Sequence, residues 1–352
     1  MKALPGSIAH KEDRKVRVVV VGGGTGTHTV LRGLKQYHSQ LDLTAVVTMA
    51  DSGGSTGRLR DEFGQLPVGD VRMALSALSA DLDQHGELVR ELFLYRFDKG
   101  NGLSGHNFGN LLLTALTDML GSEMAAITAA GQILRVRGRV VPVTADNTNL
   151  QAVYDDGEVR VGECVIDEPP TERWPHRIRS VALTPEAVLA PAARQALEGA
   201  DVILFGPGDL YTSVLATTAA SGFVDAIKAS SARLDFVCNL MTKAGQTTGM
   251  SAADHRYALQ EVIGRPLTTT FYNTAPFPEE LCEAYTEEAE YPVRDDLETD
   301  TSVVVRSDLL ARESVKNQAG DTVRRSLIRH DSDRLAQTLL TAWGVLGRET
   351  KD

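Results

Sequence analysis

Val16-Arg17-Val18-Val19-Val20-Val21 runs directly into Gly22-Gly23-Gly24-Thr25-Gly26, and this junction decides the fold class. A continuous β-branched run reads as a strand buried on both faces, as strands of parallel sheets are. Beyond the glycines, Leu31, Leu34 and Tyr37 recur at helical spacing, so the loop feeds a helix N-terminus. Glycines let backbone N–H groups crowd a ligand, and the helix dipole adds partial positive charge there. The expected occupant is a phosphate held at Gly23, Gly24, Thr25 and Gly26; the plainer alternative is a βα turn chosen for packing. Thr27-His28-Thr29 stands where a P-loop needs its lysine, and the third glycine of the dinucleotide fingerprint is missing. An ordinary ATPase or NAD dehydrogenase is therefore disfavoured.

Working outward, 352 residues at 42% hydrophobic suffice for a sizeable core. The formal charge of −11 opposes non-specific binding to nucleic acid or to anionic membrane. An anion must then be captured by a local pocket of amides and a few Arg. No apolar run approaches a membrane span, and residues 1–15 carry charges where a signal peptide needs an apolar centre. Cys164, Cys238 and Cys282 are odd in number and far apart, which argues against a disulfide framework or a zinc knuckle and for a reducing cytoplasm.

Residues 43–49 read as a second strand, ending at Asp51-Ser52-Gly53-Gly54-Ser55-Thr56-Gly57. From 70 to 133 the apolar pattern is mostly helical. Near Arg135 the period switches to two, and residues 135–140 and 158–161 flank Asp156-Gly157, a turn pair suited to a hairpin. This predicts a small antiparallel elaboration over about 134–168, with one solvated face. A helix is expected over 185–199, with Pro at its start and Gly at its end. Strands follow at 201–205 and 234–240, and Ser251-x-x-Asp254 opens another helix as a capping box. The acidic stretch 279–290 is expected on the surface, residues 302–305 as a late strand, 326–328 as an approach, and 333–346 as the last helix. The fold class is α/β, a Rossmann-like doubly wound mostly parallel sheet with the antiparallel elaboration. One domain spans 16–346 between a mobile tail at 1–15 and a C-terminal tail at 347–352.

Polar loops rich in glycine follow several of these strands: 22–26, 51–57 and 206–211, with Asn239 ending a fourth. On one edge of a parallel sheet they describe a crevice for ligands. Candidate contacts are Asp51, Ser52, Gly53, Gly54, Gly206, Gly208 and Asn239. Asp51 suits a metal, a sugar hydroxyl or merely the capping of its own loop. Asp70 reads as a helix N-cap, and Arg58 and Arg60 as phosphate forks or solvated side chains. His106 reads as an acid–base group or a loop-satisfying histidine, and Asn110, at a helix start, as a polar ligand contact. No HExxH or Cys–His cluster is present, so no dedicated transition-metal site is expected, and no Ser–His–Asp arrangement is expected either.

Gly22-Gly23-Gly24-Thr25-Gly26, the stretch Asp51-Ser52-Gly53-Gly54-Ser55-Thr56-Gly57-Arg58-Leu59-Arg60, and Leu66-Pro67-Val68-Gly69-Asp70-Val71-Arg72 together resemble the bacterial gluconeogenesis factor family. That family is related to the 2-phospho-L-lactate transferases. Gly105-His106-Asn107-Phe108-Gly109-Asn110, Val136-Arg137-Gly138-Arg139-Val140, Gly206-Pro207-Gly208-Asp209-Leu210-Tyr211-Thr212-Ser213 and Cys238-Asn239-Leu240-Met241-Thr242 extend the likeness, which fades into Arg329-His330-Asp331. The resemblance implies a cytoplasmic protein that binds a UDP-sugar such as UDP-N-acetylglucosamine and serves growth on gluconeogenic carbon sources, cell shape and wall synthesis. It implies a late tyrosine and arginine that hold the nucleotide sugar. Tyr285 and Arg329 correspond, with Tyr272 competing for the tyrosine's place. Ser52, Met73 and Asp209 depart from the family's usual Asp, Asn and Ser. Losing one carboxylate weakens a metal-dependent transferase reading, and Asp209 beside a phosphate adds repulsion unless it faces away.

Two functions follow. The first is a UDP-sugar-binding regulator with no certain cofactor, whose partners are a nucleoside diphosphate ligand, cell-wall synthesis proteins and further copies of itself. The second is a transferase moving a phospholactyl-like group from a nucleoside diphosphate carrier, in which Asp51 is catalytic and Mg²⁺ is required.

Overall fold

A computed structural model describes residues 14–80, 84–298, 303–312 and 327–346. The expected tails lie outside these residues except at 14 and 15, as do Ser302 and Ser326. The main sheet has seven strands in the order β10-β9-β8-β7-β1-β2-β3. They are β1 (Val16–Gly22), β2 (Leu41–Val47), β3 (Arg139–Pro142), β7 (Val202–Phe205), β8 (Arg233–Val237), β9 (Thr269–Asn273) and β10 (Val303–Ser307). Every pairing in this sheet is parallel. Val18 to Val21 are at most 2% exposed, as a central strand requires.

Alternate residues of β1 feed two cores. Val16, Val18 and Val20 pack with the helices Gly24–Leu34, Gly69–Leu78 and Ser332–Trp343. Val19 and Val21 pack with the helices Pro191–Gly199, Phe223–Ala229 and Ala252–Ile263. The capping box at Ser251 and Asp254 forms in full. Asp235, fully buried in β8, is held by Arg233 and by the Trp343 indole N–H at 2.7 Å, which ties the last helix to the sheet.

The second sheet is antiparallel, in the order β5-β4-β6: β4 (Asn149–Tyr154), β5 (Val159–Val161) and β6 (Ile178–Thr184). Its inward residues Leu150, Ala152, Tyr154 and Ile178 join the second core, while its other face is largely solvated.

The structure corrects the sequence reading at several places. Residues 135–140 are not a hairpin arm: β3 adds to the main sheet beside β2, with Val140 and Val141 buried, and β4 is the true partner of β5. The elaboration runs on to Thr184 because β6 closes it. The helix expected from 185 begins at Pro191, since the N–H groups of Val188, Leu189 and Ala190 bond sideways to Asp146, Ser221 and Val143. Asp70 is not an N-cap but stands in the first turn of its helix. The acidic stretch is not wholly superficial: Tyr285 packs among Leu240, Leu310 and Ile328, and Glu290 is buried.

Candidate functional site

From β1 the chain moves outward through β2 to β3, then returns to the other flank of β1 as β7 and moves outward again. The connections leaving β1 and β7 therefore diverge, and a crevice opens at their carboxyl ends, the usual ligand position in such sheets. A cleft of about 510 Å³ lies there. Its walls are the glycine loop, the turn after β7, the segment after β8, and the pair Tyr285 and Arg329 from distant parts of the chain.

The glycines of the loop have separable roles. Gly24 alone among residues 23–26 has a positive φ, +63°, with nothing within 4 Å of a Cβ placed there. A Cβ on Gly23 would sit 2.2 Å from Asp70 Oδ2, and one on Gly26 would sit 2.1 Å from the Pro207 carbonyl oxygen. The loop is thus pressed against the helix of Asp70 and against the turn after β7. Two of its amides are already committed: Gly23 N–H donates to Ser213 Oγ at 2.7 Å and Gly24 N–H donates to Asp70 Oδ1 at 2.7 Å.

Carboxylates crowd this end of the cleft. Burial and the neighbouring Asp51 push the Asp70 pKa up to about 7. Burial and the charge of Asp51 also hold Glu163 well above the usual range, and burial takes Glu290 to about 7. Lys243 Nζ stands 2.5 Å from Asp167 Oδ1 and 2.8 Å from Asp209 Oδ2. Asp209 therefore faces the cleft and is neutralised there. On the far side, burial lowers the pKa of His330 to about 4, leaving a neutral imidazole whose Nε2 has no hydrogen-bond partner among the described residues.

The sequence-derived candidates divide into two layers. Gly23, Gly24, Thr25, Gly26, Gly208, Asn239, Tyr285 and Arg329 line the cleft. Asp51, Ser52, Gly53, Gly54, Asn110 and Gly206 are not among its lining. Asp51 accepts the Gly53 N–H at 2.9 Å and crowds Gly69, one residue from Asp70. Ser52 Oγ accepts the Cys164 N–H, and Asn110 donates to Ser55 and Thr56. His106 is buried against Ser55 Oγ at 3.1 Å rather than turned to the cleft. Of the competing tyrosines, Tyr285 lines the cleft and its hydroxyl accepts the N–H groups of Leu327 and Ile328. Tyr272 instead donates to the Val293 carbonyl.

Sequence reading missed Glu163, Asp167, Lys243, Glu290 and the orientation of His330. Glu163 and Asp167, four apart on the short helix Glu163–Asp167, carried a usable signal: that spacing places both on one helix face. Among the described residues, one group of carboxylate and imidazole donors lies within 4.8 Å of one another, Asp155, Asp156 and His176. It sits outside the cleft, where Arg173 already pairs with Asp156. The cysteines are free, and no helix among the described residues is long and apolar enough to cross a membrane.

The family model described as 2-phospho-L-lactate transferase CofD matches residues 18–310. The chain is 38% identical over 329 residues to the gluconeogenesis factor of Bacillus subtilis strain 168, covering 93% of this chain and 98% of that protein. It is 39% identical over 324 residues to a putative gluconeogenesis factor of Thermotoga maritima, covering 92% and 98%. A crystal structure of a Bacillus halodurans protein superposes with a TM-score of 0.82 at 36% identity, covering 93% of this chain and 100% of that one.

Proposed function

The chain belongs to the gluconeogenesis factor family, within the reach of the 2-phospho-L-lactate transferase CofD model, and from that premise we propose that it is a nucleotide-sugar-binding regulator. The ligand class is a UDP-sugar such as UDP-N-acetylglucosamine, and the role is growth on gluconeogenic carbon with maintenance of cell shape and wall synthesis in the cytoplasm. One observation carries the reading. Tyr285 and Arg329, far from the glycine loop in sequence, line the same cleft as Gly23 to Gly26 at the point where the strand order reverses. A cleft of about 510 Å³ suits a ligand of nucleotide-sugar size.

Regulation is favoured over turnover by how the polar groups are spent. Asp51 and Asp70 hold backbone N–H groups of Gly53 and Gly24, and Asp167 holds Lys243 and the Thr212 hydroxyl. Each is engaged in structure rather than aimed at a reacting atom.

The crowding of carboxylates favours the second reading, a transferase. Asp51 and Asp70 are hard oxygen donors whose mutual repulsion a divalent cation relieves. They fit Mg²⁺, which binds through one or two carboxylates and completes its shell with water and phosphate oxygens. Mg²⁺ held there would draw charge from the nucleoside monophosphate that leaves when the phospholactyl-like group is transferred.

Calorimetry with UDP-N-acetylglucosamine, UDP and GDP, followed by prolonged incubation with Mg²⁺ and mass spectrometry of the nucleotides, separates the two. Saturable binding with the nucleotide recovered intact is expected. Metal-dependent release of UMP, UDP or GMP that disappears in Asp51→Asn replaces the regulator with the transferase.

A further inference from the structure

We propose that Lys243 is the built-in counter-charge for an anionic ligand in this cleft, held in reserve by Asp209, whose carboxylate an incoming diphosphate displaces. The inference deepens the nucleotide reading and rests on it only for the identity of the ligand.

The loop amides cannot hold a diphosphate alone. Gly23 and Gly24, the residues nearest the strand end, give their N–H groups to Ser213 and Asp70. The surrounding wall is acidic, with Asp70, Glu163 and Glu290 lining the cleft. An anion entering such a site needs a cation on the protein. Lys243 also lines the cleft, and its partner Asp209 follows Gly208, whose backbone packs against Gly23.

The two acidic partners of Lys243 differ. Asp167 is fixed from three sides: by Lys243, by the Thr212 hydroxyl at 3.0 Å and by the Gln246 amide at 3.3 Å. Asp209 has Lys243 as its side-chain hydrogen-bond donor at 2.8 Å, and its side chain is 42% exposed against 27% for Asp167. Asp209 is therefore the exchangeable partner. A carboxylate carries one negative charge and the diphosphate of a UDP-sugar carries two, so the exchange is favourable once the ligand reaches the ammonium. Asp167 keeps Lys243 in place throughout. Burial works against the ammonium, but the charges of Asp167 and Asp209 outweigh it, so Lys243 stays protonated at any working pH.

The test is a calorimetric titration of inorganic pyrophosphate, and separately of UDP-N-acetylglucosamine, in EDTA so that no metal substitutes for the lysine. Asp209→Ser removes the competitor and is expected to tighten pyrophosphate binding about fivefold, whereas Lys243→Gln is expected to weaken it about tenfold or more. The double variant should bind pyrophosphate more weakly than Asp209→Ser, because the ammonium that Asp209→Ser releases is missing from it. A merely structural ion pair predicts the opposite for Asp209→Ser, which would then loosen the loop and weaken binding. If Lys243→Gln does not fold, Asp209→Ser against the double variant, which loses one charge of each sign, makes the same comparison. Unchanged or weakened binding in Asp209→Ser overturns the proposal. Pyrophosphate affinities that follow the expected order while the UDP-sugar fails to bind would retain Lys243 and remove the nucleotide reading.

Discussion

Replacing Asp70 with Asn tests the electrostatics of the cleft on two independent readouts. The Asp70 carboxyl is held at about 7 against an ordinary 3.8, first by burial and then by the charge of Asp51. Between those values the native protein keeps a proton that the unfolded chain has released, so stability falls as pH rises through that window and levels off above about 7. Each pH unit of the window corresponds to about 1.4 kcal/mol, which sets a ceiling of roughly 4 kcal/mol; the cleft's openness to water brings the expected effect to about 1–2 kcal/mol. Asn keeps an oxygen for the Gly24 N–H but never ionises. Asp70→Asn should therefore match the wild type in urea unfolding at pH 4 and exceed it by that amount at pH 8. Anion binding moves in the same sense. A phosphate at the amides of Thr25 and Gly26 would lie roughly 6–8 Å from the carboxylate, a repulsion of about 1–2 kcal/mol or roughly 5–30-fold in affinity. In metal-free buffer, wild-type affinity for pyrophosphate should fall between pH 6 and pH 8 as Asp70 and Glu290 ionise, and the variant should make that fall shallower by the share that Asp70 contributes. A variant that is no more stable than wild type at pH 8 refutes the account of Asp70. A variant with normal stability gains but an unaltered binding profile refutes the placement of the anion at the glycine loop.

Four further outcomes are expected. Arg329→Ala should weaken UDP-sugar binding by about 1.5–3 kcal/mol through loss of a charge-assisted hydrogen bond, read by calorimetry. Tyr285→Phe should weaken it too, because the Tyr285 hydroxyl positions Leu327 and Ile328 just ahead of Arg329, while Tyr272→Phe should leave affinity unchanged. Asp235→Ala should cost about 3–5 kcal/mol in chemical denaturation, since the carboxylate is fully buried between Arg233 and Trp343. Gly26→Ala should drive the turn after β7 away from the loop, its Cβ arriving 2.1 Å from the Pro207 oxygen, and should lower the melting temperature as well as the affinity.

The sheet was legible where burial on both faces leaves a continuous apolar run. Residues 16–21 and 201–205 read as strands because 18–21 and 202–205 are unbroken apolar runs, and these lie in β1 and β7. Edge and outer strands carry weaker signals. β9, Thr-Thr-Phe-Tyr-Asn, mixes two buried threonines with a half-buried tyrosine, and it is flanked by β8 and β10. Residues 135–140 alternate Arg with Val or Gly like a hairpin arm, and only the tertiary pairing of 139–142 with β2 shows otherwise. Local pattern cannot distinguish a strand that adds to a distant parallel neighbour from one that folds on the next segment.

The same distinction governs the site. Glycines after a buried strand announce a loop at the sheet edge, and that prediction places Gly23 to Gly26, Gly208 and Asn239 on the cleft wall. What sequence cannot announce is which polar groups satisfy one another across the fold. Asp70 reads as a cap for its own helix, yet its carboxylate caps the Gly24 amide, 46 residues away. Asp209 reads as a charge hostile to an anion, yet Lys243, 34 residues on, neutralises it. The first pairing arises because β1 and β2 are neighbours in the sheet and the second because β7 and β8 are, so segments distant in sequence meet at the strand ends. An isolated carboxylate in such a loop therefore says little about the sign of the site. The balance among Asp70, Asp167, Asp209 and Lys243 sets that sign, and it is tilted by protonation of Asp70 near neutral pH and by whichever anion takes Lys243 from Asp209.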